Sequence, residues 1–131
     1  MHERDLTSQS LGIQLDDVTP GRAKVHMRIA ETMVNQHEIA HGGFIFLLAD
    51  AAFAYACNSY GPVAVAQSAE VTFLQPAFAG DELHAEAVER ARFGRNGIYD
   101  VAVRDTKGEL IAEFRGHSVV LAAKPLGGQG E

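Results

Sequence analysis

The feature that most constrains the fold is a fourteen-residue apolar segment, Phe44–Cys57, which only Asp50 interrupts. The segment is shorter than the roughly 20 residues that span a bilayer, so it predicts a helix buried on all sides inside a soluble protein. Gly42 and Gly43 precede it, and the breaker sequence Asn-Ser-Tyr-Gly-Pro at 58–62 follows it. These residues predict where the helix begins and ends.

Most of the other residues predict strands. Apolar and polar side chains alternate between Arg22 and Ile29, and turn residues separate this run from its neighbours. Residues 30–41 have no clean period and predict a loop with room for one helical turn. The expected strands are Leu11–Asp17, Arg22–Ile29, Val63–Phe73, Glu82–Phe93, Gly97–Arg104 and Leu110–Ala122.

One long helix with about five or six mostly antiparallel strands indicates an α+β fold. We expect a single domain over residues 1–131, with flexible ends at 1–10 and 124–131. The simplest way to bury the apolar helix is to wrap the sheet around it. Because one sheet covers only one side of a helix, a second copy of the chain is the simplest cover for the other side.

The charge balance argues against nucleic acid as a partner. The 131 residues include 11 basic and 17 acidic side chains, which give a net charge of −6. The single cysteine, Cys57, cannot form an intramolecular disulfide, and we expect it in the core. The polar first ten residues lack the apolar centre of a signal peptide, so we expect a cytoplasmic protein that does not enter a membrane.

Asp50 is an acidic residue in the middle of the apolar helix. An ionised carboxylate in apolar surroundings costs on the order of several kcal/mol unless it is paired or hydrogen-bonded. A structural explanation is that Asp50 faces water or caps a neighbouring backbone segment. We favour the functional explanation, in which Asp50 is a nucleophile or a general base in a pocket.

The second chemical feature is His41-Gly42-Gly43 at the predicted helix start. The first N–H groups of a helix and the positive end of its dipole form a donor site for an oxyanion. Glycine at this point lets a carbonyl group approach the backbone closely. The structural alternative is an ordinary glycine-rich helix start without a catalytic role. Gly43 and Asp50 are seven residues apart, which is about 10 Å along one helix. That is too far for both to engage one carbonyl group, so their cooperation would require two subunits.

Residues 37–41 read His-Glu-Ile-Ala-His, the spacing of a zinc-protease motif. That motif needs both histidines on one helix, whereas two glycines break the helix directly after His41. We therefore expect no metal site, assign His37 and Glu38 to a loop, and expect chelators to leave activity unchanged. The remaining histidines show no ligand spacing: His2, His26, His84 and His117.

Taken in order, several motifs resemble those of the PaaI-type hotdog thioesterases. Asn35, His41-Gly42-Gly43 and Leu48-Ala49-Asp50 are similar to the family signature. Residues 71–77 resemble the strand that follows the helix, and residues 92–101 resemble a later hairpin. The resemblance implies a hotdog fold, in which an antiparallel sheet wraps one central helix, and a homodimer, often paired into a dimer of dimers, that hydrolyses acyl-CoA.

The resemblance also implies roles for single residues. Asp50 would be the nucleophile or the base that activates water, and the Gly42 amide would polarise the thioester carbonyl. Asn35 would orient water or substrate, and His41 would brace the loop. Gln75 departs from the arginine that related proteins often have, which removes one candidate charge near the CoA. Substrate contacts are expected from Gly43, Phe46, Phe73, Arg92, Gly94, Arg95 and Asn96, and no cofactor is expected beyond the CoA of the substrate itself.

Other functions fit parts of this pattern. A hotdog hydratase or dehydratase would pair His41 with Asp50, and a non-catalytic acyl-CoA binding module would need no base at all. Helix-start glycines together with a mid-helix aspartate favour hydrolysis, because a thiolate is a good leaving group and no strong acid is required. No Gly-x-Ser-x-Gly or cysteine–histidine arrangement offers a serine or cysteine route. Either an aryl or an aliphatic acyl group fits the nearby aromatic residues Phe46, Phe53, Tyr55 and Phe73.

Overall fold

The computed structural model describes residues 6–121. These residues form two α-helices and six strands, which confirms the predicted α+β class. Residues 1–5 and 122–131 lie outside the described part of the chain, and they include the whole of the C-terminal end, 124–131, that is expected to be flexible. A 3₁₀ turn, Glu31–Met33, occupies part of the predicted loop. The elements are α1 (Leu6–Leu11), β1 (Gln14–Thr19), β2 (Arg22–Arg28), α2 (Gly42–Cys57), β3 (Ala64–Phe73), β4 (Glu82–Phe93), β5 (Asn96–Arg104) and β6 (Leu110–Val120).

The first strand is the one whose predicted bounds are wrong. Leu11 ends α1 instead of starting a strand, and β1 begins only at Gln14. Between them Gly12 adopts a φ of +77°, a left-handed conformation that glycine reaches without a steric cost. The N–H of Gly12 donates to the Gln9 carbonyl at 3.1 Å, which closes the helix in the usual way.

The six strands form one antiparallel sheet in the order β1-β2-β4-β5-β6-β3. The side chains of β2 and β4 alternate between a buried face and a polar face of the sheet. The buried side chains include Ala23, Val25, Met27, Leu83, Ala85 and Ala87, and they belong to the same core as α2. The sheet therefore wraps around a central helix, as the hotdog prediction requires.

Asn58 fixes the end of α2 and the start of β3. Its side-chain amide donates to the carbonyls of Ala54, at 2.9 Å, and Ala64, at 3.1 Å, while its side-chain oxygen accepts from the Ala64 N–H at 2.9 Å. One side chain thus joins the last turn of the helix to the first residue of the strand. The register of α2 against the sheet follows from this connection.

Strand β3 is a ten-residue edge strand that α2 leaves largely uncovered. Its inner-face residues are Ala64 and, opposite buried positions of β6, Ala66, Ala69, Val71 and Phe73. All five are apolar, yet Ala66 and Ala69 are exposed and half of the Phe73 surface is accessible (50%). An apolar sheet face next to an unpaired strand edge is thus open in the single chain.

Among residues 6–121, no helix is long and apolar enough to cross a membrane.

Candidate active site

The N-terminus of α2 presents backbone donors. His41 is its N-cap in an extended conformation (φ −65°, ψ 136°), and the His41 side chain makes no capping hydrogen bond. The Phe44 N–H donates to the His41 carbonyl at 3.1 Å. The N–H groups of Gly42 and Gly43 precede the first N–H that donates within the helix, so they have no intrahelical acceptor. They are the backbone donors on which the predicted oxyanion site depends.

Gly42 is in close contact with Phe73. A Cβ added at Gly42 would lie 2.7 Å from Cζ of the Phe73 ring, so a side chain here displaces that ring. Both residues line a cavity of about 430 Å³ whose other walls include Ile39, Ile45 and Pro76. An apolar cavity next to helix-start donors suits an acyl or aryl group whose carbonyl faces the amides.

The loop before α2 is held by Asn35. Its side-chain oxygen accepts hydrogen bonds from the N–H groups of His37, at 2.8 Å, and Ile39, at 3.1 Å. Glu38 between them has a φ of +64°, a turn conformation that rarely occurs in a helix. The loop assignment of His37 and Glu38 is therefore confirmed, and the zinc-protease helix is not formed.

His41 is held in the same loop by its backbone. Its N–H donates to the Met33 carbonyl at 2.9 Å, while its side chain is exposed. Nine residues separate it from Asp50, which is roughly 14 Å along α2. The two therefore do not form the histidine–carboxylate pair of a hydratase within one chain.

Asp50 is half-buried in the middle of an incompletely covered helix stripe. Residues three and four apart share a helix face, and the less buried face of α2 carries Gly43, Phe46, Leu47, Asp50, Ala51 and Ala54. The opposite face, which includes Leu48 and Ala52, is fully buried. One apolar stripe, with Asp50 as its only charged residue, thus stays partly accessible in a single chain, and it is the side of the helix for which a second copy of the chain is the predicted cover.

Gly42 and Asp50 are both in α2 but far apart. Eight residues separate them, which corresponds to about 12 Å along the helix axis. One carbonyl group cannot contact the amide and the carboxylate of the same chain. A site that uses both groups on one carbonyl would therefore have to take them from two chains.

The four hairpin residues predicted to contact substrate lie at the other end of α2. Arg92, Gly94, Arg95 and Asn96 line a small cavity of about 50 Å³ together with Tyr60 and Cys57. The Gly94 φ of +60° fits the tight two-residue turn between β4 and β5. Within one chain the structure does not bring this hairpin together with Gly42.

Arg92 already has partners, which the sequence did not reveal. Its guanidinium stacks 3.6 Å from the Tyr60 ring centroid and lies 3.6 Å from Oε1 of Glu89. The Tyr60 hydroxyl donates to the same Glu89 oxygen at 2.7 Å, and this hydrogen bond raises the pKa of Tyr60. Tyr60 and Glu89 are 29 residues apart, so no sequence spacing predicts the cluster.

Several other residues occupy structural positions. Cys57 is buried, as predicted, and burial raises the pKa of its thiol to about 11, which disfavours a nucleophilic thiolate. Phe53 and Tyr55 are buried in the core, whereas Phe46 packs edge-on against Phe114 at 5.4 Å. Gln75 donates from Nε2 to the Leu110 carbonyl at 2.8 Å, so it fastens β6 to the segment after β3.

Comparisons with known proteins agree with this architecture. The family model of the thioesterase superfamily matches residues 37–112. The acyl-coenzyme A thioesterase PaaI of Escherichia coli (strain K12) is 43% identical over 118 residues, which cover 90% of this chain and 84% of that protein. The structure of the E. coli PaaI protein from the phenylacetic acid degradation operon superposes with a TM-score of 0.92 at 41% identity, over 94% of this chain and 89% of that chain.

A second solved structure comes from a thermophile. An asparagine-to-aspartate mutant of the phenylacetic acid degradation protein PaaI from Thermus thermophilus is 38% identical, with a TM-score of 0.85 over 89% of this chain and 100% of that chain. Sequence and structure thus agree over nearly the whole described fold. This chain belongs to the thioesterase superfamily and, within it, to the PaaI-type hotdog thioesterases.

Proposed function

We propose that the protein hydrolyses a small aryl- or acyl-CoA thioester to the free acid and CoA, with Asp50 as base or nucleophile and the Gly42 amide of a partner subunit as oxyanion donor. The observation that carries the proposal is the position of Asp50. It is the one charged group in the accessible apolar stripe of α2, where a second copy of the helix start would meet it. The E. coli relative named an acyl-coenzyme A thioesterase supports the substrate class.

The dimer in this proposal forms along the edge of β3. Its free backbone groups offer pairing to a second β3, and pairing there would extend the sheet across two chains. The apolar inner face of β3 (Ala66, Ala69, Val71 and Phe73) and the stripe of α2 would then be covered together. A further pairing of two such dimers would give the tetramer that the family resemblance suggests.

The reaction proceeds by addition and elimination at the thioester carbonyl. If Asp50 is the base, it takes a proton from water as the water oxygen bonds to the carbonyl carbon. The Gly42 N–H stabilises the resulting oxyanion, and its collapse breaks the C–S bond and expels the CoA thiolate, which then takes up a proton. If Asp50 is the nucleophile, its oxygen bonds to the carbonyl carbon, the C–S bond breaks and the CoA thiolate leaves and is protonated. Water then hydrolyses the resulting mixed anhydride to the free acid and restores the Asp50 carboxylate.

The CoA moiety is proposed to follow the hairpin after β4. Arg92 and Arg95 supply positive charge for its phosphates, and Asn96 supplies a polar side chain next to them. Arg92 is already oriented by Tyr60 and Glu89, which restricts its rotamers before substrate arrives. No cofactor other than the substrate's own CoA is needed, and the free thiol of Cys57 fits a reducing compartment such as the cytoplasm.

A thiol-release assay tests the proposal. Wild-type protein is assayed with aryl-, short-, medium- and long-chain acyl-CoA, and Asp50→Asn is assayed on the best substrate. We expect Asp50→Asn to lower kcat by about 10² to 10⁴-fold, because the amide neither accepts the proton nor attacks the carbonyl. Its melting temperature should stay close to that of wild type, because asparagine keeps the size of the aspartate side chain and its capacity for hydrogen bonds.

The matched control is Asp17→Asn, which removes one exposed carboxylate from β1. It should keep wild-type turnover, so that a loss in Asp50→Asn is not an effect of net charge. Turnover by Asp50→Asn within a few-fold of wild type would contradict the catalytic role. Absence of thiol release by wild-type protein from every substrate would instead favour a binding module.

A further inference from the structure

Two histidines that are 58 residues apart in sequence meet on the outer face of the sheet. His26 on β2 and His84 on β4 are direct cross-strand partners. Their rings stack with centroids 5.4 Å apart and an interplanar angle of 29°. Neither histidine is used by the proposed thioesterase site, because both lie on the sheet face opposite the core that contacts α2.

A carboxylate from a third strand joins this pair. The ladder between β1 and β2 shifts register between Leu15 and Asp17, and this irregularity includes Asp16. Both carboxylate oxygens of Asp16 lie 2.9 Å from Nδ1 of His26. One potential ligand atom each from Asp16, His26 and His84 lies within 4.8 Å of the other two.

We propose that Asp16, His26 and His84 bind a divalent transition-metal ion, with Zn²⁺ as the best match. Two imidazole nitrogens and one carboxylate oxygen are ligands that Zn²⁺ accepts at about 2.0–2.2 Å, which places neighbouring ligand atoms roughly 3.3 Å apart. The three potential ligand atoms lie within 4.8 Å of one another, and the 2.9 Å between Asp16 and Nδ1 of His26 is slightly shorter than this spacing, so small side-chain rotations would bring all three to it. The side chains are free to make them, because His26 is 27% and His84 47% exposed.

Glu82 completes the arrangement from the other side of the rings. Its carboxylate lies 3.3 Å from Nε2 of His84 and 3.9 Å from Nε2 of His26. It can therefore accept the Nε2 proton of His84 and leave Nδ1 of that ring for the ion, whereas the distance to His26 is too long for a hydrogen bond. A carboxylate behind a histidine is the usual means of orienting that histidine toward a metal.

The surrounding charges favour a nitrogen-binding ion over Ca²⁺ or Mg²⁺. Asp16, Glu82 and Glu86 supply three negative charges, but Lys24 and Arg104 line the adjoining cavity of about 210 Å³ together with Asp16, His84 and Glu86, and Arg22 pairs with Glu86 at 2.9 Å. Arg28 is the cross-strand partner of Glu82. Net charge alone therefore holds a cation weakly here, and the affinity must come from the imidazole nitrogens, which suit Zn²⁺.

A bound ion would join three strands without entering the reaction. It would link β1, β2 and β4 on the polar face, whereas Asp50 and Gly42 belong to the helix on the opposite side. The effect of zinc is therefore expected on the stability of the fold. This inference is independent of the proposed thioester hydrolysis.

The test is a zinc titration of the full-length, tag-free protein by calorimetry. We expect wild-type protein to bind one Zn²⁺ per chain. His84→Ala and Asp16→Asn should each weaken binding at least about 10-fold, since even the loss of an outer-shell partner costs about 10 to 100-fold. His117→Ala, which removes another exposed histidine, on β6, should bind as wild type does.

Two further measurements keep the inference falsifiable if a variant folds poorly. Zinc should raise the melting temperature of wild-type protein and leave that of His84→Ala unchanged, because an ion that binds only the folded state stabilises it. Co²⁺ bound to wild-type protein should show the visible absorption of a site with nitrogen and oxygen ligands. Failure of wild-type protein to bind zinc, or equal binding by His84→Ala, would overturn the inference.

Discussion

Asp50 and Gly42 are the two residues on which the proposed chemistry depends. Each breaks a local rule: a carboxylate interrupts an apolar helix, and glycine occupies a helix start where a side chain would displace Phe73. Such violations are expected at functional sites, where stability is traded for chemistry. Both residues occupy the positions in α2 that the sequence predicts.

The amide of Gly42 can be tested apart from its missing side chain. Gly42→Pro removes the N–H, and proline suits this first helical position because His41 is already extended. Gly42→Ala adds a comparable Cβ next to Phe73 but keeps the N–H, so it is the matched control. We expect kcat to fall about 10² to 10³-fold further in Gly42→Pro than in Gly42→Ala, as for the loss of one oxyanion donor. Equal kcat values for the two variants would exclude the amide from catalysis.

The partners of individual side chains are much harder to predict. The family resemblance implies that Asn35 orients water or substrate, whereas in the structure its oxygen accepts two backbone N–H groups of the loop. Ligand spacing along the chain does not reveal the His26–His84 pair, because the register of β2 and β4 creates it across the sheet. Contacts between strands depend on register, and register is set by the whole fold.

At the scale of elements, periodicity and turn residues predict most boundaries. The long helix, β4 and the strands after it begin and end within one or two residues of expectation, because glycine and proline bracket each run. The predicted start of β1 is wrong, since a short polar helix with a left-handed glycine leaves little hydrophobic signal. The exposure of β3 could not be predicted, because an apolar strand is expected to be buried.

That exposed inner face of β3 allows a test of the dimer. Ala69→Arg places a charge on the apolar inner face, and Thr72→Arg places the same charge on the outer face of the same strand. We expect Ala69→Arg to lower the light-scattering mass toward one chain of 14.1 kDa and to abolish activity, because burying the charge is costly. Thr72→Arg should remain at least a dimer with activity. A dimeric, active Ala69→Arg would place the interface elsewhere.

At the scale of the whole molecule, the groups assigned to the proposed site are too far apart in one chain to act on one substrate carbonyl. The donors at the start of α2, Asp50 in its middle and the hairpin at its far end follow one another along a sixteen-residue helix, about 24 Å long. A two-fold axis next to β3 would bring unlike parts of two helices together. The sequence predicts a divided site from the distance between Gly43 and Asp50 along a regular helix. The structure has one uninterrupted helix over Gly42–Cys57, so that distance holds.

Subunit mixing tests this division directly. If each site takes Asp50 from one chain and Gly42 from the other, equal mixing of Asp50→Asn with Gly42→Pro, unfolded and refolded together, leaves about a quarter of the sites intact. Activity should recover to about a quarter of wild type from two nearly inactive parents. If both residues served one site from the same chain, no mixed dimer would contain an intact site and no activity would return.

A second mixture serves as the control, because in it a site within one chain gives more activity than a divided site. Wild-type chains are mixed equally with chains that carry both Asp50→Asn and Gly42→Pro. A divided site again leaves about a quarter of the sites intact, because each needs two wild-type chains, whereas a site within one chain leaves about half. The two mixtures together therefore separate a divided site from poor refolding, which would lower activity in both without producing recovery in the first.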